Sequence, residues 1–139
     1  GELRPRKILK VTPRRPPREF PVGAQPQITL KDCGSIQLED DEQITFLTDK
    51  KSEYDIVRKD WGFYATPSLN DRLPSFSIKP LLVKSLDTGH YFILLLEKGK
   101  DSIFEEYCRK ENIIVLAELD EQNHLSKIED ALKQRDDAT

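Results

Sequence analysis

Six of the nine prolines in this 139-residue chain fall within its first 26 residues, at Pro5, Pro13, Pro16, Pro17, Pro21 and Pro26. Proline fixes its φ angle and has no backbone N–H, so such a stretch is barred from a helix and from the middle of a sheet. Residues 1–26 are therefore expected to form an extended or disordered arm, polyproline II in character, with "KILKV" available as an edge strand. The arm is also basic. Residues 1–20 hold Arg4, Arg6, Lys7, Lys10, Arg14, Arg15 and Arg18 against Glu2 and Glu19, a surplus of five positive charges. The whole chain carries −3, so the remainder carries −3 less five, or −8. A basic arm on an acidic body suits three partners: nucleic-acid phosphates, a proline-reading domain, or an acidic face of the same or another chain.

The remainder, 27–139, has the length of a single domain. "QITL" and "SIQL" read as short strands separated by a turn at "KDCG", followed by a charged bend at "EDDEQ". "ITFLT" and "YDIVRK" are strands on either side of the polar turn "DKKS", the second reaching Lys59 or Asp60. "SIKPLLVKSLDTGHYFILLLEKG" is a hairpin closed by "LDTG". Its second arm, "HYFILLLE", is apolar on both faces and is expected to be a central strand covered on each side. Ile103, Phe104, Tyr107 and Cys108 form the stripe of an amphipathic helix, with Asp101 or Ser102 as N-cap. "IIVLAEL" is expected to be a buried strand. Leu125, Ile128, Ala131 and Leu132 place a second amphipathic helix over about 122–134. The fold class is thus α+β: a β-rich first half, then β-hairpin–α–β–α, with a mixed or antiparallel sheet. An edge strand in such a sheet leaves pairing across a two-fold axis open, so a homodimer is one expected assembly.

The longest purely apolar run, "FILLL", is too short to cross a bilayer, and "GELRPRKILK" lacks the apolar stretch of a secretory signal. The start without Met leaves a removed signal open. Cys33 and Cys108 are expected to be buried thiols, consistent with a cytoplasmic location; a disulfide between them would need an oxidising compartment. They share no metal-type spacing with His90 or His124, so neither metal nor cofactor is expected. The acids of "LEDDEQ" lack the spacing of a calcium loop and read as a solvated turn.

One segment stands apart. "DWGFYATPSLNDRL", residues 60–73, contains the sole tryptophan, two more aromatics, and amide, carboxylate and guanidinium groups. Arg58, Asp60, Trp61, Tyr64, Asn70 and Arg72 are the candidate ligand-binding residues. Rings stack on the apolar face of a sugar or base, while fixed polar groups bind hydroxyls or phosphate. The competing reading makes Trp61 a core residue and "TPSLNDRLP" an ordinary turn. Catalysis has weaker support, since no nucleophile motif, phosphate loop or metalloprotease motif is present. His90, with an acid such as Asp60, is the residue an enzymatic reading would use. The overall reading leans away from an enzyme.

"YDIVRKDWGFYATPSLNDRL" followed by "KPLLVKS" and "GHYFILLLEKGKDSIFEEYC" resembles a group of small prokaryotic proteins that occur near genes for surface polysaccharide and sugar-nucleotide metabolism. The resemblance covers roughly residues 28–120 and departs at Ser77, where glycine is expected. It implies an accessory or ligand-binding role in carbohydrate or polysaccharide biosynthesis, with a sugar or nucleotide sugar as ligand. It carries no catalytic residues. The alternatives are a small enzyme acting on sugars or nucleotides, and an interaction protein using its arm on nucleic acid or a protein.

Overall fold

The computed structural model describes residues 9–23 and 27–137, with side chains as far as Gln134. Among these residues the fold is α+β, with strands in three antiparallel sheets and three helices. The chain divides into two compact units. The first runs up to Ile44 and takes in Ile56–Tyr64; the second comprises Thr45–Asp55 and the chain from Ala65 onward.

In the first unit, β1 (Lys10–Val22) pairs antiparallel with β2 (Ile28–Gln37). The described part of the proline-rich arm is therefore one strand of an antiparallel pair. Two of the prolines of β1, Pro16 and Pro17, lie off the ladder, whereas Pro13 and Pro21 keep places in it opposite Gly34 and Thr29. The pairing passes from Pro13↔Gly34 to Arg18↔Asp32, so Arg14–Pro17 bulge opposite Cys33 alone. Pro16 and Pro17, which have no donor to offer, sit in that bulge. Alternation then puts Val11, Phe20, Val22, Ile28, Leu30 and Ile36 on one face of the ribbon and Thr12, Glu19, Lys31 and Ser35 on the other. Among the described residues of the arm, Arg14 and Arg18 both approach Asp32, at 3.4 and 3.5 Å, and Lys10 lies 3.9 Å from Glu39.

The turn expected at "KDCG" is absent; β2 runs straight through it. The Asp–Gly signal is used differently, with the Gly34 N–H donating to Asp32 Oδ1 at 3.2 Å. Gly34 has φ +141°, and a Cβ there would stand 2.3 Å from the Thr12 carbonyl oxygen, so only glycine fits. Cys33 is exposed, contrary to expectation, because that position of an uncovered ribbon has nothing to pack against.

β3 (Gln43–Leu47), β4 (Glu53–Lys59) and β5 (Gly62–Ala65) form a three-stranded sheet in that order. In the second unit, α1 (Arg72–Ser75) leads into β6 (Ile78–Ser85), which is followed by β7 (Tyr91–Glu97), α2 (Asp101–Glu111), β8 (Ile113–Glu118) and α3 (Gln122–Asp137). The sheet order is β7-β6-β8. Among the described residues, the buried hydrophobic side chains of the core all lie in this unit: Leu73, Ile78, Leu81, Val83 and Ala117. Three of them belong to β6.

This order overturns two expectations. "FILLL" is in β7, an edge strand, and β8 is the opposite edge, with Ile114, Val115 and Leu116 exposed. β6, which contains Pro80, takes the centre instead. The register explains how a central strand tolerates proline. β6 bonds β7 through Ser77, Lys79, Leu81, Val83 and Ser85, so the backbone groups of Pro80 point toward β8. β8 stops at Glu118, and the Pro80 carbonyl still accepts from Leu119 N–H at 2.9 Å. The missing donor thus falls beyond the end of the β8 ladder.

α2 and α3 occupy the expected segments, whereas α1 forms where only a turn was expected. The residue preceding α2 is Lys100, which makes no side-chain cap, so neither Asp101 nor Ser102 serves as N-cap. Cys108 is half-buried on α2, and burial pushes its thiol pKa up; it is free, as is Cys33. His124 accepts the Glu118 N–H through Nδ1 at 2.9 Å, tying α3 to the end of β8. No described helix is long and apolar enough to cross a membrane.

Candidate ligand-binding hairpin

β4 and β5 are joined by Asp60 and Trp61 alone, the two-residue connection of a tight hairpin. Gly62 opens β5 with φ +146°, a conformation that side chains other than glycine rarely adopt. The turn leaves Trp61 at the tip, 70% exposed, followed by Phe63 at 65% and Tyr64 at 47%. Trp61 is therefore not a core residue. Phe63 and Tyr64 are neighbours on one strand, so they face opposite sides of the hairpin. The Arg58 guanidinium lies over the Phe63 ring, 5.9 Å from its centroid, a cation–π contact that fixes both side chains on one face.

Acidic residues before β3 hold this hairpin in place. Asp41 N–H donates to the Arg58 carbonyl at 2.7 Å, and Arg58 N–H donates to the Glu42 carbonyl at 3.0 Å. Lys59 Nζ is paired with the Asp41 carboxylate, and that hydrogen bond raises the lysine pKa above its ordinary value. Asp41 adopts φ +66°, within the left-handed region that Asp tolerates better than most residues. The "EDDE" run is thus more than a solvated turn, since two of its members clasp Arg58 and Lys59. Sequence reasoning missed this role. The signal available was the complementary charge of "DDE" and "RKD", but nothing in the spacing says that residues 41 and 58 meet.

The other two candidate residues belong to the second unit. Asn70 Nδ2 donates to Gln122 Oε1 at 3.1 Å, linking the turn before α1 to the start of α3. Arg72 opens α1, its N–H donating to Ser68 Oγ at 2.9 Å and its guanidinium lying 5.4 Å from the Phe76 ring centroid. Both are engaged in holding their own turn and helix. Arg58, Asp60, Trp61 and Tyr64 are the part of the group that shares one hairpin, with Tyr64 on the face opposite Arg58. His90 is exposed in the turn before β7, with its N–H donating to Thr88 Oγ1 at 3.2 Å. A cavity of about 230 Å³ lies between α2 and the sheet, lined among others by Lys79, Phe104, Val115 and Glu118, and includes none of the candidate residues.

No family model, curated protein or solved structure matches this chain.

Proposed function

We propose that the protein is a small accessory or ligand-binding domain of carbohydrate or polysaccharide biosynthesis, and that the tip of the β4–β5 hairpin contacts the sugar or nucleotide-sugar ligand. The observation that carries this reading is the exposure of Trp61, Phe63 and Tyr64 around a two-residue turn that also bears Asp60, next to Arg58 and Lys59. An exposed indole costs free energy in water and is a ready surface for the apolar face of a pyranose. Arg58 adds charge suited to a phosphate. The choice of sugar rests on the resemblance of residues 28–120 to small proteins found near polysaccharide genes.

An amide NMR titration with nucleotide sugars and short glycans tests the proposal. Shifts should be confined to residues 58–64 and the Trp61 indole, and Trp61→Ala should remove them while leaving the rest of the spectrum intact. A panel that moves no resonance, or a folded Trp61→Ala protein that binds as before, would end this reading.

A further inference from the structure

The sheet of the second unit has an edge that the described chain leaves unpaired, because β7 bonds to β6 alone. Two bonds at its ends fix which backbone groups point inward: Ser85 N–H donates to the His90 carbonyl at 2.8 Å, and Lys98 N–H donates to the Ser77 carbonyl at 3.0 Å. Antiparallel pairing alternates. In the register running from Ile78↔Glu97 to Lys84↔Tyr91, the backbone groups of Tyr91, Ile93 and Leu95 therefore point away from β6. The side chains of the same three residues are 60%, 54% and 37% exposed. From Tyr91 to Leu96 the strand has no charge, no proline and no bulge, the devices that ordinarily blunt an edge. β8, at the other edge, does have one: its register with β6 shifts between Leu82 and Val83.

We propose that β7 pairs antiparallel with β7 of a second copy, joining the two three-stranded sheets into one across a two-fold axis. Outward backbone donors and acceptors require an extended partner, and a two-fold axis lets the same strand supply it. Outward residues must meet outward residues, which leaves two central registers. With Ile93 on the axis, Tyr91 of each copy faces Leu95 of the other, and the turn containing Asp87 meets the turn containing Lys98 and Lys100, twice. With Leu94 on the axis, Glu97 faces Tyr91 and Asp87 meets Asp101. Opposite charges select the first register. Asp87 and Lys98 stay available at these turns: Asp87 Oδ1 accepts from Asn112 Nδ2 at 2.8 Å, and Lys98 Nζ donates to the Pro74 carbonyl at 2.6 Å, which leaves each with capacity for a further partner.

Sedimentation equilibrium of the whole chain tests the pairing, together with hydrogen exchange at two protein concentrations. The wild-type chain should sediment as a dimer. Ile93→Lys should give a folded monomer, while Leu132→Lys, on the exposed face of α3, should leave the dimer intact. In the wild-type chain, the amides of Tyr91, Ile93 and Leu95 should exchange at least about tenfold more slowly at the higher concentration. A wild-type monomer at every concentration would overturn the proposal, as would a folded Ile93→Lys dimer. If Ile93→Lys does not fold, exchange at those three amides decides alone, and rates independent of concentration refute the pairing.

Discussion

The tip of the β4–β5 hairpin and the β7 edge both expose large apolar side chains, but only at the tip do charged residues interleave with them. Arg58, Lys59 and Asp60 adjoin Trp61 and Phe63, whereas Tyr91–Leu96 contains no charged residue. The backbone differs as well. At the tip the recognition elements are side chains presented by a turn; along β7 they include a row of outward N–H and C=O groups. Side chains around a turn suit a small ligand with polar and apolar faces, while an uninterrupted apolar edge suits another strand. Exposure of apolar surface thus has two meanings in one chain, separated by what lies next to it.

The comparison breaks if the exposed rings turn out to be structural, and the largest expected effect addresses that. Leu73 is fully buried between α1 and β6, so Leu73→Ala should cost roughly 2–5 kcal/mol. Trp61→Ala removes a larger side chain from an exposed turn and should change stability by no more than about 0.5 kcal/mol. Urea denaturation of both variants checks the contrast; equal losses would make Trp61 a packing residue.

A smaller effect comes from the backbone. Ser77 follows α1 with φ +63°, and its N–H donates to the Pro74 carbonyl at 3.2 Å, the left-handed ending that glycine adopts most easily. Ser77→Gly should stabilise the protein by about 0.5–1 kcal/mol, read as a higher urea midpoint. It alters neither exposed region, so self-association and ligand response should both be unchanged.

The smallest effect concerns the end of β7. The Thr48 hydroxyl, with that of Ser52, holds the Glu97 carboxyl below its usual pKa, although Glu97 Oε2 itself is buried with no hydrogen-bond partner. A carboxylate whose folded pKa is depressed stabilises the fold above its unfolded pKa, and that contribution is lost as pH falls through the folded value. The melting temperature of the wild-type chain should therefore fall more steeply through the acid range than that of Glu97→Gln. Parallel curves would remove Glu97 from the account.

Much of the element sequence was legible from periodicity and turn residues, because "YDIVRK", "IIVLAEL" and the Leu125–Leu132 stripe carry the strand and helix periods of the elements they form, although Ile114, Leu116, Ile128 and Leu132 are exposed. Strand order was not. A run such as "FILLL" records how apolar a strand is, and a strand that another chain covers reads the same as one at the centre of its own sheet. Pro80 is no bar to the central place of β6, since its missing donor matters only where a neighbour's ladder reaches it. At the candidate site, the cluster of rings and polar groups was visible in the sequence, but β5 and the tight hairpin it makes with β4 were not. The Asp41 and Glu42 clasp was not, because it depends on contacts 16–18 residues apart.

The central claim is that the rings of the β4–β5 hairpin stand in solvent, available to a ligand. Trp61 is the only tryptophan, so intrinsic fluorescence reports it alone. The account predicts red-shifted emission that acrylamide quenches nearly as well in the folded protein as in the urea-unfolded chain. Blue-shifted emission, protected from acrylamide until the protein unfolds, would place Trp61 in a packed interior and contradict the account.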